Sequence, residues 1–194
     1  ILVGTQLIAK GHHIEDVTLV GVLGIDKQLN IPDFRAAERS FQLLMQVGGR
    51  AGRGALAGHV VIQTLYPEHY AVQCAANHDY LGFVEHECTY RESLSYPPFN
   101  RLTHVVMSSP NQSLLKRHCG EISATLHQAS TEHDIEVIGP HPSPIQKIRA
   151  HYRYSVLFKH PTSLNKVIRD VISGFPVPPK DVRVIPDFDP QGLL

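Results

Sequence analysis

Two arginines that alternate with glycines, at the end of a predicted helix, are the residues best suited to chemistry in this 194-residue chain. Arg50 and Arg53 lie three positions apart in residues 46–53, QVGGRAGR. This spacing can aim both guanidinium groups in one direction, and the glycines let a partner approach the backbone closely. Guanidinium groups bind phosphate oxygens and can stabilise charge on a transferring phosphoryl group. The alternative is a glycine-rich turn whose arginines pair with surface carboxylates.

An earlier segment makes that alternative the weaker interpretation. Residues 46–53 match the Q-x-x-G-R-x-G-R form of motif VI in superfamily 2 helicases, and residues 4–13, GTQLIAKGHH, resemble motif V. Further segments resemble the PriA family of replication-restart helicases rather than RecG or DEAD-box enzymes, and the resemblance covers essentially the whole chain. These segments are DVTLV (16–20), DFRAAER (33–39), YPPF (96–99), GPHPSPI (139–145), YRY (152–154) and DFDP (187–190).

The resemblance implies a role for each motif residue at the nucleotide. Arg50 and Arg53 would reach the γ-phosphate of ATP held on the other helicase lobe, and one of them would act as the arginine finger. Which of the two does so stays open. Gln46 would orient the arginine pair beside Gly49, as part of the nucleotide site.

The same resemblance implies contacts from the earlier motif. Thr5 and Gln6 would touch the DNA backbone, while Lys10 and His13 would link the DNA and nucleotide sites. The alternative is that these residues, His13 in particular, are ordinary loop residues with no role at DNA or nucleotide.

The nucleotide site implied by the family is incomplete in this sequence. ATP and Mg²⁺ would lie between two RecA-like lobes, yet the chain contains no G-x-x-x-x-G-K-[ST] segment and no D-E-x-H box. We therefore expect the fragment alone not to hydrolyse ATP. The family's zinc-binding cysteines would lie upstream of residue 1, so zinc is expected in the parent protein and not in this chain.

Four zinc-capable side chains lie close together in the sequence and are candidates for a metal site. If they share one helix, Cys74 and Cys88 are about 21 Å apart at a rise of 1.5 Å per residue, far beyond a shared ion. We therefore predict no metal site in the chain. The other two candidate ligands are His78 and His86.

A local basic segment in the second half is the other candidate for DNA contact. Positive side chains interleaved with tyrosines suit backbone phosphates and base stacking, although a solvated strand face fits equally well. The residues assigned to DNA are Lys147, Arg149, Tyr152 and Arg153.

The elements that position these residues predict an α/β fold. Residues 1–66 are interpreted as the C-terminal part of a RecA-like lobe with a parallel sheet: an apolar strand end at 1–3, a strand at 17–25 covered on both faces, a helix capped by Asp33, and a strand at 59–65. Residues 67–95 are predicted as a helical bridge. Residues 96–194 are predicted as a small two-layer domain of split β-α-β-β-α-β type, with residues 139–144 as an extended connection.

Composition narrows the class of protein. Lys and Arg number 18 and Asp and Glu also 18, so no global basic field favours nucleic acid and any DNA contact must be local. The absence of a long apolar run and the three unpaired cysteines favour a cytoplasmic protein. The family resemblance implies that it is bacterial and nucleoid-associated.

Two functions follow as alternatives. The first is part of a 3′ to 5′ DNA helicase that recognises abandoned replication forks, remodels them and initiates primosome assembly. Its implied partners are forked and single-stranded DNA, single-stranded DNA-binding protein and other primosome components, and the protein is expected to be monomeric. The second is a non-catalytic DNA or protein docking module of a different superfamily 2 motor.

Overall fold

The computed structural model describes residues 1–5, 17–49 and 58–193. The chain divides into two compact units, Ile1–Tyr90 (unit 1) and Arg91–Leu194 (unit 2). Unit 1 contains a parallel pair of strands and unit 2 a four-stranded antiparallel sheet, each accompanied by helices. The predicted mixed α/β class is confirmed. None of the helices in the described ranges has the length and hydrophobicity needed to cross a bilayer.

The strands of unit 1 pair in parallel, in a register that places Leu19 opposite His59 and Leu23 opposite Gln63. A helix of five residues follows β1 directly, and the sequence analysis missed it because five residues show no helical periodicity. No strand is present at residues 1–5, where a strand end was predicted. The elements of unit 1 are β1 Leu19–Leu23, α1 Ile25–Leu29, α2 Ala36–Gly48, β2 His59–Gln63, α3 Tyr70–Ala76 and α4 Tyr80–Ser93.

The prediction that β1 is covered on both faces is wrong for the residues that the structure describes. Leu19 is 64% exposed and Leu23 is 78% exposed. A continuous apolar run predicts burial only if other elements cover both sides of the strand, and within the described ranges β1 pairs with one strand.

The core of unit 1 joins α1 and α2 to the helical segment that follows β2. Phe41 of α2 stacks on Phe83 of α4, with ring centroids 4.0 Å apart. Residues 67–95 are mainly helical, as predicted, but α3 buries its apolar side chains in the same core as α1 and α2. The buried members of this core are Ile25, Phe41, Leu44, Ala71, Val72, Cys74, Ala75 and Phe83.

Unit 2 follows the order strand, helix, strand, strand, helix, strand. All neighbouring strands are antiparallel, and their spatial order is β4-β5-β3-β6. A short 3₁₀ turn, Thr162–Leu164, precedes the second helix. The elements of unit 2 are β3 Arg101–Ser109, α5 Gln112–Glu132, β4 Glu136–Ile148, β5 His151–His160, α6 Asn165–Ser173 and β6 Arg183–Phe188.

The core of unit 2 lies between one face of this sheet and the two helices. Val156 and Phe158 are fully buried and alternate along β5, as the sequence predicts. One face of α5 also contributes, because Leu115, Cys119 and Ile122 are buried in this core. We call this the helix face of the sheet, and the opposite side the free face.

The free face carries a buried lysine with three partners. The Lys159 ammonium donates to the Leu94 carbonyl over 2.9 Å and to the Glu136 carboxylate over 3.1 Å. It also lies 4.4 Å from the ring centroid of Tyr96. Because Lys159 is only 6% exposed, these contacts are needed to offset the cost of burying its charge.

Residues 139–144 are part of β4, although the strand is irregular there. The register of β4 against β5 shifts between Ile138 and His141 and again between Pro142 and Lys147. Gly139 lies at the first shift with a φ of +111°, and a Cβ there would meet the Ser155 carbonyl oxygen at 2.5 Å. Both its backbone conformation and its surroundings therefore require glycine.

We predict that Gly139→Ala destabilises the protein by roughly 2–4 kcal/mol, because the added methyl group is strained and collides with backbone. Gly120→Ala is the matched control, since Gly120 lies in α5 with no heavy atom within 4 Å of an added Cβ. That change should stabilise by about 0.5–1 kcal/mol through helix propensity. Chemical denaturation measures both, and equal effects of the two substitutions would contradict the assignment.

Candidate functional site

The end of α2 carries the described part of the motif VI segment. The helix ends at Gly48, and the N–H of Gly49 donates to the Met45 carbonyl over 3.1 Å, so the predicted glycine end is confirmed. Gln46 and Gly49 are both exposed at this end.

Several predicted site residues cannot be placed. Arg50 and Arg53 lie outside the described residues, as do Gln6, Lys10 and His13, so their assignments stay predictions. Thr5 is described and exposed.

A charged network fixes the other end of α2. Asp33 was predicted to cap this helix, but α2 begins later, at Ala36, and its N-cap residue is Arg35. The Asp33 carboxylate instead accepts the backbone N–H of Arg35 at 2.8 Å and pairs with Arg39 at 3.1 Å. Because the Asp33 side chain is completely buried, this carboxylate needs both partners.

Arg35 completes the network on the same turn. Its guanidinium donates to both carboxylate oxygens of Glu38, at 2.8 and 3.1 Å. This hydrogen bond raises the pKa of Arg35, with Coulombic help from Glu38 and Asp33 and against the effect of partial burial. The DFRAAER segment therefore holds the start of the helix whose far end bears Gln46 and Gly49.

Packing also holds the far end of α2. Leu44 and Val47 are buried, and a Cβ on Gly48 would meet the His78 ring at 3.3 Å. The last turn of α2 is thus in close contact with the residues that follow α3, which gives the motif segment a fixed starting point.

The four residues of unit 2 assigned to DNA do not share one surface. Lys147 pairs with Tyr152 across β4 and β5, and its ammonium lies 4.6 Å from the tyrosine ring centroid. Tyr152 also packs on the helix-face core, so its ring has protein contacts on two sides. Arg149 is exposed at the turn between the strands, with a φ of +46°.

Arg153 lies on the other side of the sheet, because it follows Tyr152 directly in β5. It is opposite Ser108 of β3 on the free face. Nearby on that face, burial lowers the pKa of His104, and the guanidinium of Arg153 and the ring of His141 lower it further. Asp187, opposite His104 on β6, raises it.

The four zinc-capable residues do not share one helix, and His78 lies in the connection between α3 and α4. Cys74 is in α3 and Cys88 in α4. Within residues 1–5, 17–49 and 58–193, no three His, Cys, Asp or Glu side chains are grouped closely enough to hold a metal ion.

Comparison with known proteins places this chain. Residues 92–191 match the family described as the primosomal protein N C-terminal domain. The whole chain is also similar to the replication restart protein PriA of Bacillus subtilis, at 41% identity over 198 residues. It is 38% identical to the PriA protein of Synechocystis over 193 residues and 37% identical to that of Haemophilus influenzae over 195 residues, again along its full length.

The chain belongs to the PriA family. It spans about a quarter of the length of these PriA relatives, namely 24%, 23% and 27% in the order given. The match to the PriA C-terminal domain contains every strand of unit 2, and so it includes Lys147, Arg149, Tyr152 and Arg153.

Three further polar residues belong to the surroundings of Arg153. Ser143 and Ser155 are buried, and Arg183 lies on β6 opposite Ser108. No local pattern marks them, because they come together only through strand pairing. The one available signal was the position of Ser155 two residues after Arg153 in an alternating strand.

Cysteine reactivity gives a test of this packing. Burial raises the pKa of Cys119 to about 11 and, together with the charge of Asp79, also raises that of Cys74. Both therefore stay protonated and enclosed at pH 8, whereas Cys88 is half-exposed. We expect a disulfide reagent to label Cys88 first in the native protein and all three cysteines after unfolding. Rapid native labelling of Cys119 would contradict the buried position on α5.

Proposed function

We propose that this chain is the C-terminal part of an ATP-dependent 3′ to 5′ DNA helicase that recognises stalled or abandoned replication forks, remodels them and initiates primosome assembly. The similarity of the whole chain to proteins named replication restart protein PriA carries this proposal. The intact protein would work in the bacterial cytoplasm, on nucleoid DNA, as a monomer.

Residues 1–66 would be the later part of the second RecA-like lobe. Parallel pairing of β1 and β2, with α2 between them in sequence, supports this assignment, because parallel neighbours require a crossover connection. Residues 67–95 would join this lobe to residues 96–194, the family's C-terminal domain of split α/β type.

ATP and Mg²⁺ would bind between this lobe and an upstream lobe. Arg50 and Arg53 would contact the γ-phosphate, with Gln46 and Gly49 beside them and Lys10 and His13 linking the site to DNA. The network at Asp33 supports a positioned pair of arginines, since it fixes the start of the helix that leads into them. Zinc would be held by residues upstream of this chain.

Forked and single-stranded DNA would be the substrates. Thr5 and Gln6 would contact the DNA backbone from unit 1, and Lys147, Arg149, Tyr152 and Arg153 would do so from unit 2. Single-stranded DNA-binding protein and other primosome components would be the protein partners.

We predict that Arg50→Ala and Arg53→Ala in the intact protein each abolish most ATP hydrolysis while leaving nucleotide binding. Loss of a finger arginine lowers turnover by roughly 10³-fold or more, because it acts on the transition state. Arg117→Ala is a control of the same chemistry, since Arg117 is 68% exposed on α5. Steady-state ATP hydrolysis and equilibrium binding of a fluorescent ATP analogue give the two readouts.

Equal rates of ATP hydrolysis in the two arginine variants and the control would show that Arg50 and Arg53 do not act in the nucleotide site. The 194-residue chain alone should show no DNA-stimulated ATP hydrolysis, because it lacks a phosphate-binding loop. Turnover by the purified chain, retained after a second purification step, would contradict the proposed division of the site.

A further inference from the structure

Unsatisfied polar atoms are concentrated at one place on the free face of unit 2. Among the described residues, four buried side-chain nitrogen or oxygen atoms have no hydrogen-bond partner, and three of them belong to Ser143, Arg153 and Ser155. The fourth is Nε2 of His118, on α5. Since buried polar groups are normally paired, a cluster of three without partners calls for an explanation.

Strand pairing brings these three residues together. His141 lies opposite Ser155 and Pro142 opposite Tyr154, whereas the next paired residue of β4 is Lys147, opposite Tyr152. Residues 143–146 therefore all lie against Arg153 alone, which is a β-bulge several residues long. Bulges of this kind redirect side chains and are frequent beside functional sites.

The three groups share one face of the sheet. Arg153 and Ser155 are two positions apart on β5, and Ser143 is two positions after His141, the partner of Ser155. We call Ser143, Arg153 and Ser155 the bulge site. Both serines are 2% exposed, and Nη1 of Arg153 is also enclosed although the residue as a whole is half-exposed.

The chemistry of the bulge site suits an oxyanion. Two hydroxyl groups and one guanidinium nitrogen can all donate hydrogen bonds, and none has an acceptor among the described residues. A water molecule can accept only two of these bonds and would leave the arginine charge unbalanced. A phosphate group satisfies the donors and balances the charge.

Access to the bulge site lies through the bulge itself. Pro144, Ile145 and Gln146 are exposed, and this stretch makes no ladder pairing with β5. A ligand would therefore reach the enclosed donors along this exposed and irregular stretch of β4.

A second arginine extends the positive charge along the same face. Ser108 pairs with Arg153 on one side and with Arg183 on the other. Strands two places apart are about 10 Å from each other, so Arg183 stands beside the bulge site on the free face. Asp187 lies four residues further along β6, opposite His104, and is the acidic residue of this face on β6.

We propose that Ser143, Arg153 and Ser155 bind one backbone phosphate of DNA at the β4 bulge, and that Arg183 contacts a neighbouring phosphate. This inference rests on the proposed function, because it adds a defined contact on the free face to the DNA contacts proposed for unit 2. In this proposal Arg153 does not act alone, because donors from two neighbouring strands, β4 and β5, surround the same phosphate.

The experiment compares six variants of the intact protein, two of them Lys147→Gln and Arg149→Gln, in their binding of a fluorescent forked DNA over a range of salt concentrations. Arg153→Gln and Arg183→Gln should each weaken binding several-fold and reduce the slope of log affinity against log salt by about 1, as expected for loss of one phosphate contact. Ser143→Ala should weaken binding without changing the slope much, because it removes a neutral donor. Lys116→Gln is the charge-matched control, since Lys116 is exposed on α5, and it should bind as the parent does.

Thermal unfolding separates a binding role from a structural one. Ser143→Ala removes an unpaired buried hydroxyl, so its Tm without ligand should equal or exceed that of the parent. Inorganic phosphate should raise the Tm of the parent by linkage and have a smaller effect on Ser143→Ala and Arg153→Gln. A lower Tm for Ser143→Ala, with unchanged phosphate response and DNA affinity, would assign Ser143 a structural role and overturn the proposal.

Three other outcomes would contradict the bulge site, its assignment to DNA, or the proposed function. Normal binding by the bulge-site variants, together with weaker binding by Lys147→Gln or Arg149→Gln, would overturn the bulge site and leave the proposed DNA contact of unit 2 in place. A response to inorganic phosphate without any effect on DNA binding would overturn the DNA assignment. Absence of fork binding by the intact parent protein would defeat the proposed function itself.

Discussion

Successive side chains of a β-strand point to opposite faces, and in unit 2 this alternation decides what each residue of β5 can do. β5 is an inner strand, paired with β4 on one side and β3 on the other. The side chains of Tyr152, Tyr154, Val156 and Phe158 pack in the core. The side chains between them therefore lie on the free face. A basic segment that looks continuous in sequence is thereby divided between two surfaces.

The helices and strands were largely predictable, because they depend on local periodicity. The buried face of α5 and the alternation of β5 follow from the spacing of apolar residues, and the glycine end of α2 follows from composition. The start of α2 was placed too early, since Asp33 acts through Arg35 and Arg39 rather than as a cap. The apolar sequence of β1 predicts more burial than the described residues show, because a strand is buried only where other elements pack against its faces.

The candidate sites were predictable to different degrees. Arg50 and Arg53 stand in a motif of fixed spacing, so the sequence alone can nominate them. The bulge site depends on which residue of β4 faces Arg153, and a register shift decides that. No sequence pattern encodes such a shift, although the prolines and glycine of residues 139–144 indicate that β4 is irregular.

The contacts of Lys159 determine where an independent form of unit 2 can begin. Its ammonium is bound by the Leu94 carbonyl, and Arg91 donates to the Pro97 carbonyl over 3.3 Å. A truncated protein that starts at residue 96, at the proline-rich break in the sequence, would leave a buried cation without one of its acceptors. The autonomous folding piece therefore includes the last turn of α4, and a gene fragment meant for separate expression should start at or before residue 91.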